Sequence, residues 1–477
     1  MEYRPKGILD QIKIGSEKMA KSNTVNTSLF NFNGKPGYDK AVPLGLQHVL
    51  AMIVGNVTPS IIIAGTVGMS MDERTLLVQT GMFIAGLATF MQIFSYKKLG
   101  AKLPVIMGVS FSYIPVLISI GSTYGIAAIF GAQLIGSLAA ILMGFFIKPI
   151  RKYFPPIVAG TVVLTIGLSL YSIGINYMAG GIGQPTYGAL QNWGIAFLTL
   201  ATVLICNMYG KGVFKLASIL AGIVVGYVVA FALGMVNFAP LATAGWVSLP
   251  RPLYFGIEFI PAAIVSMIVM YIVNSIQAVG DFSSTTVGGM NREVTDDELS
   301  GGIIAYGVSS FIAALIGGLP TATYSQNVGI VASTKVIARR VFVIAASVII
   351  AAGFIPKFGA LMTTIPYAVL GGATISVFGM IAMTGIKLIT QDELSNRNMT
   401  IVGLSLALGM GMVGVPAAIA NFPAWFLMIF GRSPVVIATL LALVLNIVLP
   451  KKSLVQEQKE REDLDAQEPV ENKAKLV

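Results

Sequence analysis

Asn274, Gln277 and Asp281 sit within a single apolar run, "VNSIQAVGDFSS" at 273–284. Polar groups inside such a run are candidates for function, because each costs a few kcal/mol in hydrocarbon unless it is paired. Gln277 and Asp281 are spaced i, i+4, so one helical face carries both. Three other places share this character. They are Gln47 with His48, the single histidine of the chain; Ser110 with Phe111; and Tyr324, Gln326 and Asn327, followed by Thr334 and Lys335. A carboxylate here could hold a proton, and an amide offers a carbonyl acceptor and two N–H donors to the edge of a ligand. A structural reading stands beside the functional one: Asp281 could bond His48 or a backbone amide between helices, and His48 could tie two core helices together.

No constellation supports an enzyme. One histidine excludes a His-rich metal site and an H-E-x-x-H protease, and neither a G-x-x-x-x-G-K-[ST] loop nor a G-x-S-x-G elbow is present. Cys206 is the only cysteine and lies in an apolar stretch, which excludes a disulfide framework and a cysteine metal site. Neither a cofactor nor a nucleic-acid partner is expected.

The elements that must position these residues follow from composition. With 477 residues, 55% hydrophobic and 11% charged, and a mean hydropathy of +0.81, the apolar surface exceeds what one soluble core can bury. The chain reads as an all-α polytopic membrane protein surrounded by lipid, with apolar runs of about 18 to 25 residues. About fourteen spans are expected, with helices near 43–67, 75–95, 124–147, 157–174, 191–209, 214–236, 259–282, 300–318, 339–356, 363–386, 398–414 and 431–449. The net charge of +10 is distributed by topology. Lys97, Lys98 and Lys102, then Lys148, Arg151 and Lys152, then Lys211 and Lys215, then Arg339 and Arg340, then Lys387 and Arg397 fall in every second loop. The positive-inside rule then places both termini in the cytoplasm and makes the number of spans even. Residues 1–42 form a cytoplasmic segment without the order of a signal peptide. Residues 43–240 hold spans 1–7, residues 241–450 hold spans 8–14, and 451–477 read as a disordered cytoplasmic tail.

Two segments do not read as clean helices: "LPVIMGVSFSYIPVLISIG", with Pro104, Gly108 and Pro115, and "LPTATYSQNVGIVASTKV", with Pro320, Asn327 and Gly329. Each suggests a short extended piece followed by a half-helix. They are third in the first seven spans and third in the second seven. Interrupted segments at matching positions point to an inverted-repeat transporter with its site between the breaks. Backbone groups freed at a break are tolerated only where they are buried or line a cavity.

The stretch "QNVGIVASTK" at 326–335 resembles the signature of the nucleobase/ascorbate transporter family, the xanthine/uracil permeases, and Gln326, Asn327, Gly329, Thr334 and Lys335 all match it. "GLQHVLAM" at 45–52, "GVSFSYI" at 108–114 and "PPIVAGTVVLTIGLSL" at 155–170 resemble the family's first, third and fifth spans. The resemblance implies fourteen spans in two inverted repeats, a core of spans 1–4 and 8–11, and a gate of spans 5–7 and 12–14 that forms a homodimer. It implies that Phe111 stacks on the base, that Gln277 and Gln326 bond its edges, and that Tyr324 lies beside it. Gln47, His48, Ser110, Asp281, Tyr306, Asn327, Gly329 and Thr334 would support the site or its coupling.

The chain departs from the family pattern at two positions. Similar members carry Glu where Gln277 stands, and proton-coupled relatives often carry Asp in the ninth span, where this chain has Tyr306. A buried glutamate can change its charge and a glutamine cannot. The co-transported partner, a proton or a sodium ion or neither, therefore stays open. The expected function is secondary transport of an oxidised purine such as xanthine or urate across the plasma or inner membrane. The alternatives are uracil or an inorganic anion as substrate of the same fold, or a receptor that binds a nucleobase without moving it.

Overall fold

A computed structural model describes residues 28–150, 153–431, 433–451, 454–456 and 458–459. Arg151, Lys152, Arg432, the first 27 residues of the N-terminal segment and most of the 451–477 tail lie outside them. The main helices are α1 Tyr38–Thr66, α2 Met71–Ile93, α3 Ile114–Tyr124, α4 Ile126–Ile150, α5 Pro156–Met178, α6 Leu190–Tyr209 and α7 Ser218–Ala232 in the first half, with short turns of helix at Val213–Leu216 and Ala239–Thr243. The second half holds α8 Pro261–Met290, α9 Asp296–Ile316, α10 Ser325–Thr334, α11 Arg339–Gly353, α12 Pro356–Thr363, α13 Tyr367–Ile389, α14 Asn396–Gly414, α15 Ala424–Phe430 and α16 Pro434–Val448. Eight of these are long and apolar enough to cross a membrane, or nine if the bent pair α11–α12 counts as one span. This is a multi-pass membrane protein.

Both interrupted segments are broken as expected. Strand β1, Met107–Val109, leads through a 3-10 turn at Phe111–Tyr113 into α3, and strand β2, Thr321–Thr323, leads into α10. The strands pair antiparallel, with Met107 opposite Thr323, Gly108 opposite Ala322 and Val109 opposite Thr321. Elsewhere the structure corrects the sequence reading. The helix expected at 339–356 ends at Gly353 and turns by 81° into α12, because Pro356 pushes Ile355 out of helical space and that residue is extended. The loop before α16 holds the short helix α15, which hydropathy did not reveal. The tail docks at its start, where the Leu454 N–H donates to Glu393 at 3.0 Å.

The helices pack in two sets, each drawing on both halves of the chain. Helices α5, α6, α7, α13, α14 and α16 contact one another, while α1, α2, α4, α8, α9 and α11 gather around the two strands and their half-helices. The tightest contact is α5 on α13, where Gly160, Gly167 and Gly174 recur every seven residues along one face. A Cβ at Gly160 would stand 2.7 Å from the Ile389 nitrogen, and one at Gly174 would stand 2.7 Å from Ile375 Cδ1. Small residues allow this approach, which supplies packing energy that lipid cannot. Helices α2 and α9, each preceding a broken segment, both begin with a capping box: Ser70 with Glu73, and Thr295 with Glu298.

Gly160→Val should force α5 away from α13 and destabilise the protein by about 1–3 kcal/mol or more. Gly403→Ala, where nothing lies within 4 Å of the added carbon, should be neutral or stabilising by up to about 1 kcal/mol. Thermal unfolding of purified protein in detergent measures both.

Candidate substrate site

The breaks enclose a cavity of about 220 Å³, lined by Ser110, Phe111, Ser112, Gln277, Thr323, Tyr324, Ser325 and Gln326 from one set of helices and by Val163, Val377, Met380, Ile381 and Thr384 from the other. Phe111, buried, meets Phe378 of α13 edge-on at 5.3 Å between ring centroids. Gln277 on α8 points into the space, and its Oε1 accepts a hydrogen bond from Ser112 Oγ at 3.2 Å. Gln326 lies in the first turn of α10. The N-terminus of that helix, like the turn before α3, abuts the cavity and contributes partial positive charge. No lysine, arginine or histidine lines it.

Asp281 sits one turn beyond Gln277, 8% exposed, and does not line the cavity. Its carboxylate accepts hydrogen bonds from the hydroxyls of Thr323 and of Ser325, the latter at 2.9 Å. The structural alternative offered His48 or a backbone amide as its partner, and the carboxylate meets Thr323 and Ser325 instead. Two hydroxyls on the strand and half-helix meet the carboxylate first, because the i, i+4 face of α8 lies against β2 and α10. These hydroxyls, with Ser112, are site residues that sequence reading missed. Thr323 and Ser325 fall within the broken segment, so the break itself was the available signal.

His48 is 2% exposed and lies apart from the cavity. The Asn327 amide donates to its Nδ1 and to its backbone carbonyl, both at 3.0 Å, and its ring meets Phe342 at 4.6 Å. His48 and Asn327 thus tie α1 to α10. Tyr306 lies buried in α9, with its hydroxyl bonded to that of Tyr113 and its ring 5.6 Å from that of Tyr271. Gln47 is half-buried, and Gly329 faces outward with open space around it. Thr334 bonds back to the Ile330 carbonyl at 2.8 Å. Among the described residues no group of three or more histidine, cysteine, aspartate or glutamate side chains could hold a metal ion.

An aromatic ring, two amides and several hydroxyls around a small space at two helix breaks suit a flat, uncharged or weakly anionic heterocycle. The model of the Permease family matches residues 39–418. The chain belongs to this permease family. A xanthine permease of Bacillus subtilis is 34% identical over 90% of this chain and 98% of its own length. A uric acid permease of the same organism is 35% identical over 84% and 94%, and a xanthine permease of Escherichia coli is 31% identical over 88% and 94%. Among solved structures, the permease is similar to the transmembrane domain of a cyanobacterial bicarbonate transporter, with a TM-score of 0.54 and 15% identity over 87% of this chain and all of that one. It is also similar to a murine solute carrier 26 anion transporter in its inward-facing state, with a TM-score of 0.57 and 11% identity over 86% and 67%. At such identities the likeness speaks to the permease fold alone.

Each of Thr323→Val and Ser325→Ala should destabilise the permease by about 1 kcal/mol, since the carboxylate keeps one donor. The double variant should cost about 3 kcal/mol or more, beyond the sum, because it strands a buried charge. Unfolding midpoints of the three proteins test this.

Proposed function

We propose that this permease is a secondary transporter of a nucleobase, an oxidised purine such as xanthine or urate, in the plasma or inner membrane. The observation that carries the reading is the convergence of Phe111, Gln277 and Gln326, from three separate elements, on one cavity between the two broken segments. Phe111 offers a face on which the base stacks. The amides of Gln277 and Gln326 are complementary to the –NH–CO– edges of an oxopurine, and the two helix N-termini favour a urate monoanion. A space of about 220 Å³ is below the roughly 300–1,000 Å³ of drug-sized pockets. It suits one fused ring system. The absence of a cation from the lining residues favours this heterocycle over an inorganic anion.

The finer architecture belongs to the same proposal. The chain consists of fourteen spans in two inverted repeats of seven, with α3 and α10 as the half-helices of spans 3 and 10. The capping boxes of α2 and α9, one span before each break, and the antiparallel pairing of β1 with β2 support a two-fold relation between the halves. The set around the strands acts as the core and the set built on α5 and α13 as the gate. Substrate crosses by an elevator-type motion of one set along the other, both termini lie in the cytoplasm, and the gate forms the homodimer. Arg74, on the side with few basic residues, bridges the sets. It donates to the Tyr367 hydroxyl at 3.0 Å and to the Met69 carbonyl at 2.9 Å, which supports closure of the side opposite the basic loops. The cavity-lining residues of α13 lie toward its Lys387 end, as an opening to the cytoplasm requires.

Labelled xanthine should be taken up and should be competed strongly by urate and weakly by uracil and ascorbate. Uptake of uracil with no purine transport would refute the substrate assignment. Repeating the assay with and without proton and sodium gradients identifies the coupling ion. Asp281→Asn should abolish transport, and robust uptake by this variant would overturn the role given to the carboxylate. Gln277→Glu should still bind urate at low pH and lose it as the pH rises, because the new carboxylate ionises and repels the anion. Wild type, lacking that group, should show the flatter binding profile.

A further inference from the structure

Val109, two residues before Phe111, has both of its backbone polar groups held by side chains of other elements. Its N–H points away from the ladder and donates to Asn56 Oδ1 of α1 at 2.7 Å. Its carbonyl accepts from the Tyr324 hydroxyl at 2.6 Å. Asn56 is 0% exposed and is itself oriented by donation from its amide to Met82 Sδ at 3.1 Å. The Tyr324 ring is confined between Gly55 of α1 and Gly108 of β1. A Cβ at either glycine would lie 2.9 Å or 2.7 Å from that ring, and one at Gly108 would also lie 2.6 Å from Asn56 Oδ1. A short run of bonds continues from Val109 to the cavity. Ser110 donates its N–H to the Pro320 carbonyl at 3.3 Å, Ser112 donates its N–H to Ser110 Oγ at 3.1 Å, and Ser112 Oγ reaches Gln277.

We infer that Asn56 and Tyr324 are positioning residues for substrate recognition, a two-sided clamp on the Val109 peptide that sets where Phe111 and Ser112 present themselves to the substrate. The inference rests on the nucleobase reading for its ligand and on the geometry alone for the clamp. It also changes the part played by Tyr324. Tyr324 was expected beside the base; its hydroxyl is already engaged by Val109, so Tyr324 meets substrate with its ring and acts through the strand. Thr89 of α2 makes an equivalent edge bond farther from the cavity, accepting from the Met107 N–H at 3.0 Å. It therefore serves as the control for a purely structural role.

The test is the KM and Vmax of labelled xanthine uptake in cells, normalised to the amount of permease in the membrane, for Asn56→Ala, Asn56→Asp, Tyr324→Phe and Thr89→Val. Loss of either clamp bond should raise KM about tenfold with little change in Vmax, as expected when a buried hydrogen bond that orients the site is lost. Asn56→Asp keeps an oxygen for the Val109 N–H and should recover part of the affinity. Thr89→Val should lower stability and leave KM near that of wild type. Wild-type KM in both Asn56→Ala and Tyr324→Phe, or an equal rise of KM in Thr89→Val, would overturn the proposal. Hydrogen–deuterium exchange of residues 105–113 reads the clamp without any substrate. Faster exchange in Asn56→Ala and Tyr324→Phe with no xanthine uptake by the wild type would sink the substrate assignment and leave the clamp standing, and unchanged exchange would sink the clamp.

Discussion

Two three-residue strands buried among membrane helices leave N–H and C=O groups on their outer edges, and a group without a partner there costs several kcal/mol. Satisfying those edges is the constraint on which the rest of the structure depends. On the β1 side, Asn56 and Thr89 accept from Val109 and Met107. On the β2 side, Ser310 of α9 accepts from the Thr321 N–H at 3.2 Å, and the hydroxyls of Ser309 and Ser310 both meet that of Thr321. The helices that supply these groups must stay close to the strands, so the set around the breaks is stiffened by polar bonds. The α5–α13 contact of the other set is lined by glycines.

That division gives the site its form. The polar side chains of the cavity project from the braced set, and the wall opposite them is made mainly of Val163, Val377, Met380 and Ile381, with Thr384 beside them. Apolar side chains make no directional bonds, so most of this wall places no buried donor or acceptor against the polar side. Asp281 belongs to the bracing. By accepting from Thr323 and Ser325 it joins α8 to β2 and α10, and the Gln277 amide one turn away inherits that rigidity. His48 and Asn327 do the same between α1 and α10. Residues that look like binding groups in a sequence can thus serve to hold the elements that line the cavity.

Much of this was legible in the chain. Hydropathy placed most of the main helices within about five residues, although α8 runs on from the expected end at 282 to Met290, and proline with small polar residues marked both breaks. The motif at 326–335 carries the likeness to the permease family within ten residues. The hinge between α11 and α12 and the helix α15 were not legible, since a short apolar helix has the same composition as the end of a spanning one. Asn56 escaped notice for a related reason. A lone amide in "MIVGNVTPS" has no partner in sequence, and its partner is a backbone N–H, which every residue carries.

The sequence by itself determined that the chain lives in a membrane, where its helices run, where they break and which family they belong to, because burial in hydrocarbon depends on local composition and the length of a span. Tertiary structure alone decided which polar residues face the cavity and which brace it. Phe111, Gln277 and Gln326 are separated by up to 215 residues. The antiparallel pairing of β1 with β2 and the packing of α8 against β2 and α10 bring their elements to one place, while Asp281 and His48 meet partners that no spacing rule could name.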